Sequence, residues 1–227
     1  MDFQVRNFRE LWKLQGPLLV LIVLMFLIFF VQSLPGSVFW VDRFMAIPGE
    51  VVQSWDDIRS GVGRPDDWWE LGTLLSCVFL HADIQHVGMN MLFMWIFAAL
   101  FVELLGWRWM LLVFLTTGIA GSLTHVILNR EDFIPMLGAS GAVMGFEGAY
   151  LGLATRFRLP DPHVWPMARP IPPARLALLA LIGVGIDYFS LFSGQQEGIA
   201  YGAHIGGFTM GLLIAGIAAP RPRLALN

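Results

Sequence analysis

The stretch MLGASGAVMGFEGAY, residues 136–150, sets Ser140 between glycines and adds Glu147 inside an otherwise apolar run. A serine hydroxyl becomes a nucleophile when a neighbouring base takes its proton and donors receive the charge that develops on the substrate carbonyl. Other apolar runs supply the residue types required. His204 is a candidate base. His86 and Asn90, four apart and therefore on one helix face, are candidate donors together with the Ser140 backbone N–H. Glu103, His125 and Asp187 complete the polar residues that interrupt such runs. Each has a plainer reading. A serine flanked by glycine lets helices approach, and Asn or His in an apolar helix can simply bond to its neighbours. GASGA is not the nucleophile elbow of soluble hydrolases, because Ala142 replaces its last glycine and no strand precedes it.

The elements that must position these residues follow from composition. The chain has 227 residues, 56% of them hydrophobic and only 14% charged, where soluble domains carry about 25% charge. Apolar blocks at 17–34, 84–105, 109–128, 137–155, 174–192 and 199–219 approach or exceed the ~20 residues of a membrane-crossing helix. Helices are expected because backbone polar groups in lipid must be satisfied within the segment. The chain is therefore read as an all-α polytopic membrane protein with six transmembrane helices. The first block is too long and Phe-rich for a cleaved signal.

With a cytoplasmic N-terminus, ten of the 14 basic residues fall inside: Arg6, Arg9, Lys13, Arg108, Arg156, Arg158, Arg169, Arg175, Arg221 and Arg223. That bias places both termini in the cytoplasm. The expected organisation is a cytoplasmic segment 1–16, a membrane domain 17–219 with a large outer loop at 35–83, and a tail 220–227. The loop is acidic and carries Trp40, Trp55, Trp68 and Trp69, as an interfacial segment does. The proline-rich segment 156–175 is a cytoplasmic connector. Net charge −3 argues against a nucleic-acid partner, and the single Cys77 cannot form an intrachain disulfide.

This topology puts Ser140, His86, Asn90 and His204 in the outer half of the membrane, because the second, fourth and sixth spans all enter from outside. Gly141, Gly145 and Gly148 form a small-residue stripe beside Ser140, and Gly207 and Gly211 form G-x-x-x-G one turn beyond His204. Two such stripes allow close backbone approach, which would bring the Ser140 hydroxyl within ~2.6–3.2 Å of the imidazole. No carboxylate is required for a working pair. Other chemistries fit less well. Lys13 is the only lysine, Asp187 the only aspartate within a span, and His81 with His86 lacks the spacing of a zinc site. No metal or cofactor is expected.

Three motifs, taken together, resemble the rhomboid intramembrane serine proteases over roughly residues 15–220. FLHADIQHVGMNMLFMWIF resembles that family's second-span signature, GASGAVMG (opened by Gly138) its nucleophile motif, and GAHIGGFTMG its sixth-span motif. The resemblance implies a six-helix rhomboid-like bundle, with Ser140 as nucleophile, His204 as general base, His86 and Asn90 as oxyanion donors and His81 as a structural residue of the outer loop. It implies transmembrane protein substrates cleaved near their outer ends, with the fifth span and the 193–199 loop gating lateral access. It also implies a lipid bilayer as surroundings and no cofactor. The compact form suggests a bacterial inner membrane. The alternative is a non-catalytic rhomboid-like protein that binds or escorts transmembrane clients. Three positions depart from the family pattern. Met144 stands where an aromatic usually packs under the base, the outer loop lacks a Trp-Arg pair at the usual distance before His81, and Glu147 replaces an apolar residue. For Glu147 the expectations are pairing with His125, pairing with a backbone group, or a carboxyl kept protonated by its low-dielectric surroundings.

Overall fold

A computed structural model of the chain describes residues 8–161, 172–193, 198–223 and 225–226. The expected connector residues 162–171 and gating-loop residues 194–197 lie outside the described residues. Among those described, the elements are nine α-helices with short 3₁₀ and π turns, and no strand beyond two isolated bridges.

Helix α1 (Phe8–Gln32) is almost wholly apolar. Its buried Gln15 donates from Nε2 to the Ala99 carbonyl at 3.1 Å, docking it on α5. The segment 33–83 then folds as α2 (Val38–Val41), α3 (Pro48–Arg59) and α4 (Pro65–Ser76). Proline at the first helical position of α3 and α4 fixes φ where no N–H partner is needed. Asp67 ties the two together, accepting from Ser54 Oγ at 3.2 Å and from the Arg64 N–H at 2.6 Å. Trp69 finds an arginine partner further back in the chain. Trp69 Nε1 donates to the Arg43 carbonyl at 2.8 Å, and the Arg43 guanidinium lies 5.7 Å from the Trp69 ring.

Helix α5 (Ile84–Leu105) has Asp83 as N-cap, accepting the His86 N–H at 2.8 Å. Gly106, at φ +92°, makes the reversal into α6 (Trp107–Leu128) that a side chain would strain. α7 (Ser140–Arg156), α8 (Pro173–Ser193) and α9 (Tyr201–Leu213) follow, and a π turn at Ile214–Ala218 ends α9. Arg156 satisfies carbonyls freed there, donating to Ala215 and Ala219 at 3.0 and 2.9 Å.

Among the described residues, five helical stretches are long and apolar enough to cross a membrane: 11–32, 84–105, 107–128, 173–193 and 201–218. The expected fourth span falls short of that length because its helix starts at Ser140, not near 137. Pro135 and Gly138, the latter at φ +131°, keep the preceding residues out of helix. All of residues 141–150 are buried, so α7 is surrounded by protein. Its closest partner is α9. A Cβ on Gly207 would collide with the Gly141 carbonyl oxygen, one on Gly211 with that of Gly145, and one on Gly148 with that of Phe208. The two backbones touch without intervening side chains, as small-residue stripes permit.

Candidate active site

The segment before Ser140 is clipped to the 33–83 segment at successive points. Gly49 N–H donates to the Asp132 carbonyl at 2.8 Å, Ala46 and Met136 exchange bonds of 3.2 and 2.8 Å, and Gly138 N–H donates to Cys77 at 2.9 Å. Ala139 N–H donates to Nε2 of His81 at 3.4 Å. His81 is fully buried, and burial, then the neighbouring His86, holds its imidazole well below the usual histidine value, to about 4. The ring is neutral and can accept that bond. Ser140 consequently opens α7, and its backbone N–H is among those a helix leaves without an internal partner.

Around it lies a cavity of about 610 Å³ whose wall includes Ser140, His86, Asn90 and His204. Nδ1 of His86 accepts the Ala82 N–H at 3.3 Å, which puts the ring proton on Nε2. That nitrogen would be 2.8 Å from a Cβ at Gly138, so only glycine lets the ring and the Ser140 loop meet. Asn90 is buried, and its Nδ2 has no hydrogen-bond partner among the described residues. Two side-chain donors thus stand on the wall that holds the serine.

His204 is turned by a contact that sequence reasoning missed. Its Nδ1 lies 3.0 Å from Oδ2 of Asp187 on α8. A bond to a carboxylate puts the ring proton on Nδ1 and leaves the Nε2 lone pair free. The Tyr201 ring stands edge-on to the imidazole, centroids 6.4 Å apart, so a nearby aromatic comes from α9 itself. Met144 packs in a small cluster with Ala180, Val184, Ile205 and Phe208. Among the described residues no hydrogen bond joins Ser140 to His204, although both face one cavity; such contacts commonly tighten only with substrate in place.

Glu147 does not reach His125. The His125 Nδ1 meets Asn129 Nδ2 at 3.3 Å, while Glu147 Oε2 lies 3.9 Å from where a Cβ on Gly183 of α8 would be. His125 and Asn129 also line the cavity, a second His-x-x-x-Asn pair facing His86 and Asn90. Their repeated spacing was the signal for them. For Asp187 the signal was periodicity: Leu176, Ala180, Val184, Asp187 and Ser190 are the buried residues of α8, spaced by fours and threes.

A profile of the Rhomboid domain matches residues 65–221, more than half of the chain. The chain is 31% identical over 146 residues to Rhomboid protein 1, mitochondrial, of Saccharomyces cerevisiae, covering 62% of this chain and 40% of that protein. It is 30% identical over 155 residues to RHOMBOID-like protein 1 of Arabidopsis thaliana, covering 68% and 36%. It is 30% identical over 163 residues to Rhomboid-type serine protease 2 of Emericella nidulans, covering 72% and 29%. The chain spans less than half the length of each of these relatives. With its several apolar helices it is an integral, multi-pass membrane protein, and it belongs to the rhomboid family.

Proposed function

We propose that this chain is an intramembrane serine endopeptidase that cleaves transmembrane helices of other proteins near the outer membrane face. The observation that carries the reading is the single cavity onto which α5, α7 and α9 bring His86, Asn90, Ser140 and His204. Nε2 of His204 takes the Ser140 hydroxyl proton as Oγ bonds to the scissile carbonyl carbon. The carbonyl electrons move onto oxygen, which receives hydrogen bonds from His86 Nε2–H, Asn90 Nδ2 and the Ser140 N–H. Collapse breaks the C–N bond and the proton passes from Nε2 to the leaving amine. Water entering from the outer face then hydrolyses the acyl ester on Ser140.

In this reading α7 is the fourth of six crossings. Its 17 residues extend ~26 Å, and the neighbouring helices cover it where it falls short of the bilayer. The membrane domain is 17–219, both termini are cytoplasmic by the distribution of basic residues, and the membrane is a bacterial inner membrane. The experiment is labelling of the purified protein with a fluorophosphonate, beside cleavage of a synthetic transmembrane substrate. Wild type is expected to label and cleave, and Ser140→Ala and His204→Ala to do neither. Wild type labelling no better than Ser140→Ala, with no cleavage by either, rejects the proposal.

A further inference from the structure

An ionisable group inside a membrane helix is costly and needs a partner or a task. Asp187 is buried on the inward stripe of α8, among Ala180, Val184 and Ser190. Its carboxylate finds a partner on another helix: Oδ2 is 3.0 Å from Nδ1 of His204, and both side chains are largely withdrawn from solvent. A bond made only to fasten α8 to α9 could use any nitrogen–oxygen pair along their contact. This one is made by the nitrogen opposite the atom that must act as base, on the one histidine of α9, at the edge of the cavity.

We infer that Asp187 is a positioning residue for His204, completing a serine–histidine–aspartate set spread over three helices, α7, α9 and α8. The inference rests on the protease reading above. The carboxylate fixes the imidazole as the Nδ1–H tautomer, so the Nε2 lone pair faces the cavity. When Nε2 takes the serine proton, the Nδ1–H stays shared with Asp187, and the positive ring is stabilised by a charge already in place. Asp187 does not itself gain the proton. Glu147 also lies toward this part of α8, against the bare backbone of Gly183 one turn earlier. Among the described residues the hydrogen bond at the His204 ring comes from Asp187, and none joins it to Glu147.

The test uses full-length protein in detergent, with Asp187→Asn and Asp187→Ala beside Ser140→Ala. Asn keeps the size of the side chain but not the charge. Expected is a fall of roughly 10²–10⁴-fold in kcat and in the fluorophosphonate labelling rate for both variants, with KM changed less than ~2-fold. The second readout needs no turnover: ¹⁵N NMR of histidine-labelled protein should give His204 as the Nδ1–H tautomer in wild type and as a mixture in Asp187→Asn. A role confined to fastening α8 would lower the unfolding midpoint and leave Asn near wild type in rate and tautomer. Either variant labelling at the wild-type rate, or an unchanged tautomer in Asp187→Asn, overturns the inference while leaving the Ser140 assignment intact. Wild type failing to label at Ser140 overturns the protease reading, and this inference with it.

Discussion

Of the helices that meet α9 around the cavity, α7 and α8 are held by opposite means. α7 lies on it backbone to backbone, its Gly141 and Gly145 carbonyls filling the spaces where Gly207 and Gly211 lack side chains. α8 touches it through a narrow stripe and the Asp187–His204 bond, while Leu178, Leu181, Ile186, Phe189 and Phe192 face outward. The first contact has no freedom, because a carbonyl oxygen cannot move aside without breaking its helix. The second is made of side chains that can part and meet again. The register between Ser140 and His204 is therefore set by glycine backbone, and the orientation of His204 by a replaceable polar bond.

The largest effect that can break this contrast is at Gly207. A methyl group there meets the Gly141 carbonyl oxygen, and separating α7 from α9 exposes the whole seam. Gly207→Ala should lose more than about 3 kcal/mol of stability, at the upper end of overpacking costs, together with all fluorophosphonate labelling. Thermal unfolding in detergent checks it. A variant that unfolds like wild type would mean that the helices are not in backbone contact at this level.

The seam was legible in the sequence because glycine spacing is a local signal: Gly141, Gly145 and Gly148 against Gly207 and Gly211 are read without knowing any distance. His86, Asn90, Ser140 and His204 line one cavity. The Asp187–His204 bond was less legible. Its partners are 17 residues apart on different helices, and only the rotation of α8 decides whether its carboxylate looks inward. The start of α7 was misjudged by three residues because Gly138 is apolar enough to pass as helix, whereas its φ of +131° ends the approach loop. Of the alternatives open for Glu147, a bond to His125 is not made among the described residues; its Oε2 lies toward Gly183 of α8.

A smaller effect tests the clamp at the Ser140 end of the seam. His81 accepts the Ala139 N–H just before Ser140, which a doubly protonated ring cannot do. Burial holds this imidazole near 4, against an ordinary 6.5. The unfolded chain therefore binds more protons between these values, and stability rises with pH through that window. The contribution is complete above pH 6.5 and lost as pH falls toward 4, on the order of 3 kcal/mol in all. Unfolding midpoints measured from pH 7 to pH 4 should show this slope in wild type and a shallower one in His81→Gln. Parallel slopes would remove His81 from the account.

The smallest effect is the one that sharpens the contrast. Gly185 on α8 is exposed, and a Cβ there meets nothing within 4 Å. Alanine keeps the helical backbone and restricts the unfolded chain, so Gly185→Ala should be neutral or more stable by up to ~1 kcal/mol. Labelling and cleavage should stay at wild-type rates. Gly185 and Gly207 carry the same substitution of one hydrogen by one methyl group, on helices that both border the cavity. Composition and helix propensity treat the two positions alike, so any difference between them belongs to tertiary contact. A loss at Gly185 comparable to that at Gly207 would show that α8 is seated as tightly as α7, and that the Asp187–His204 bond only accompanies a rigid interface.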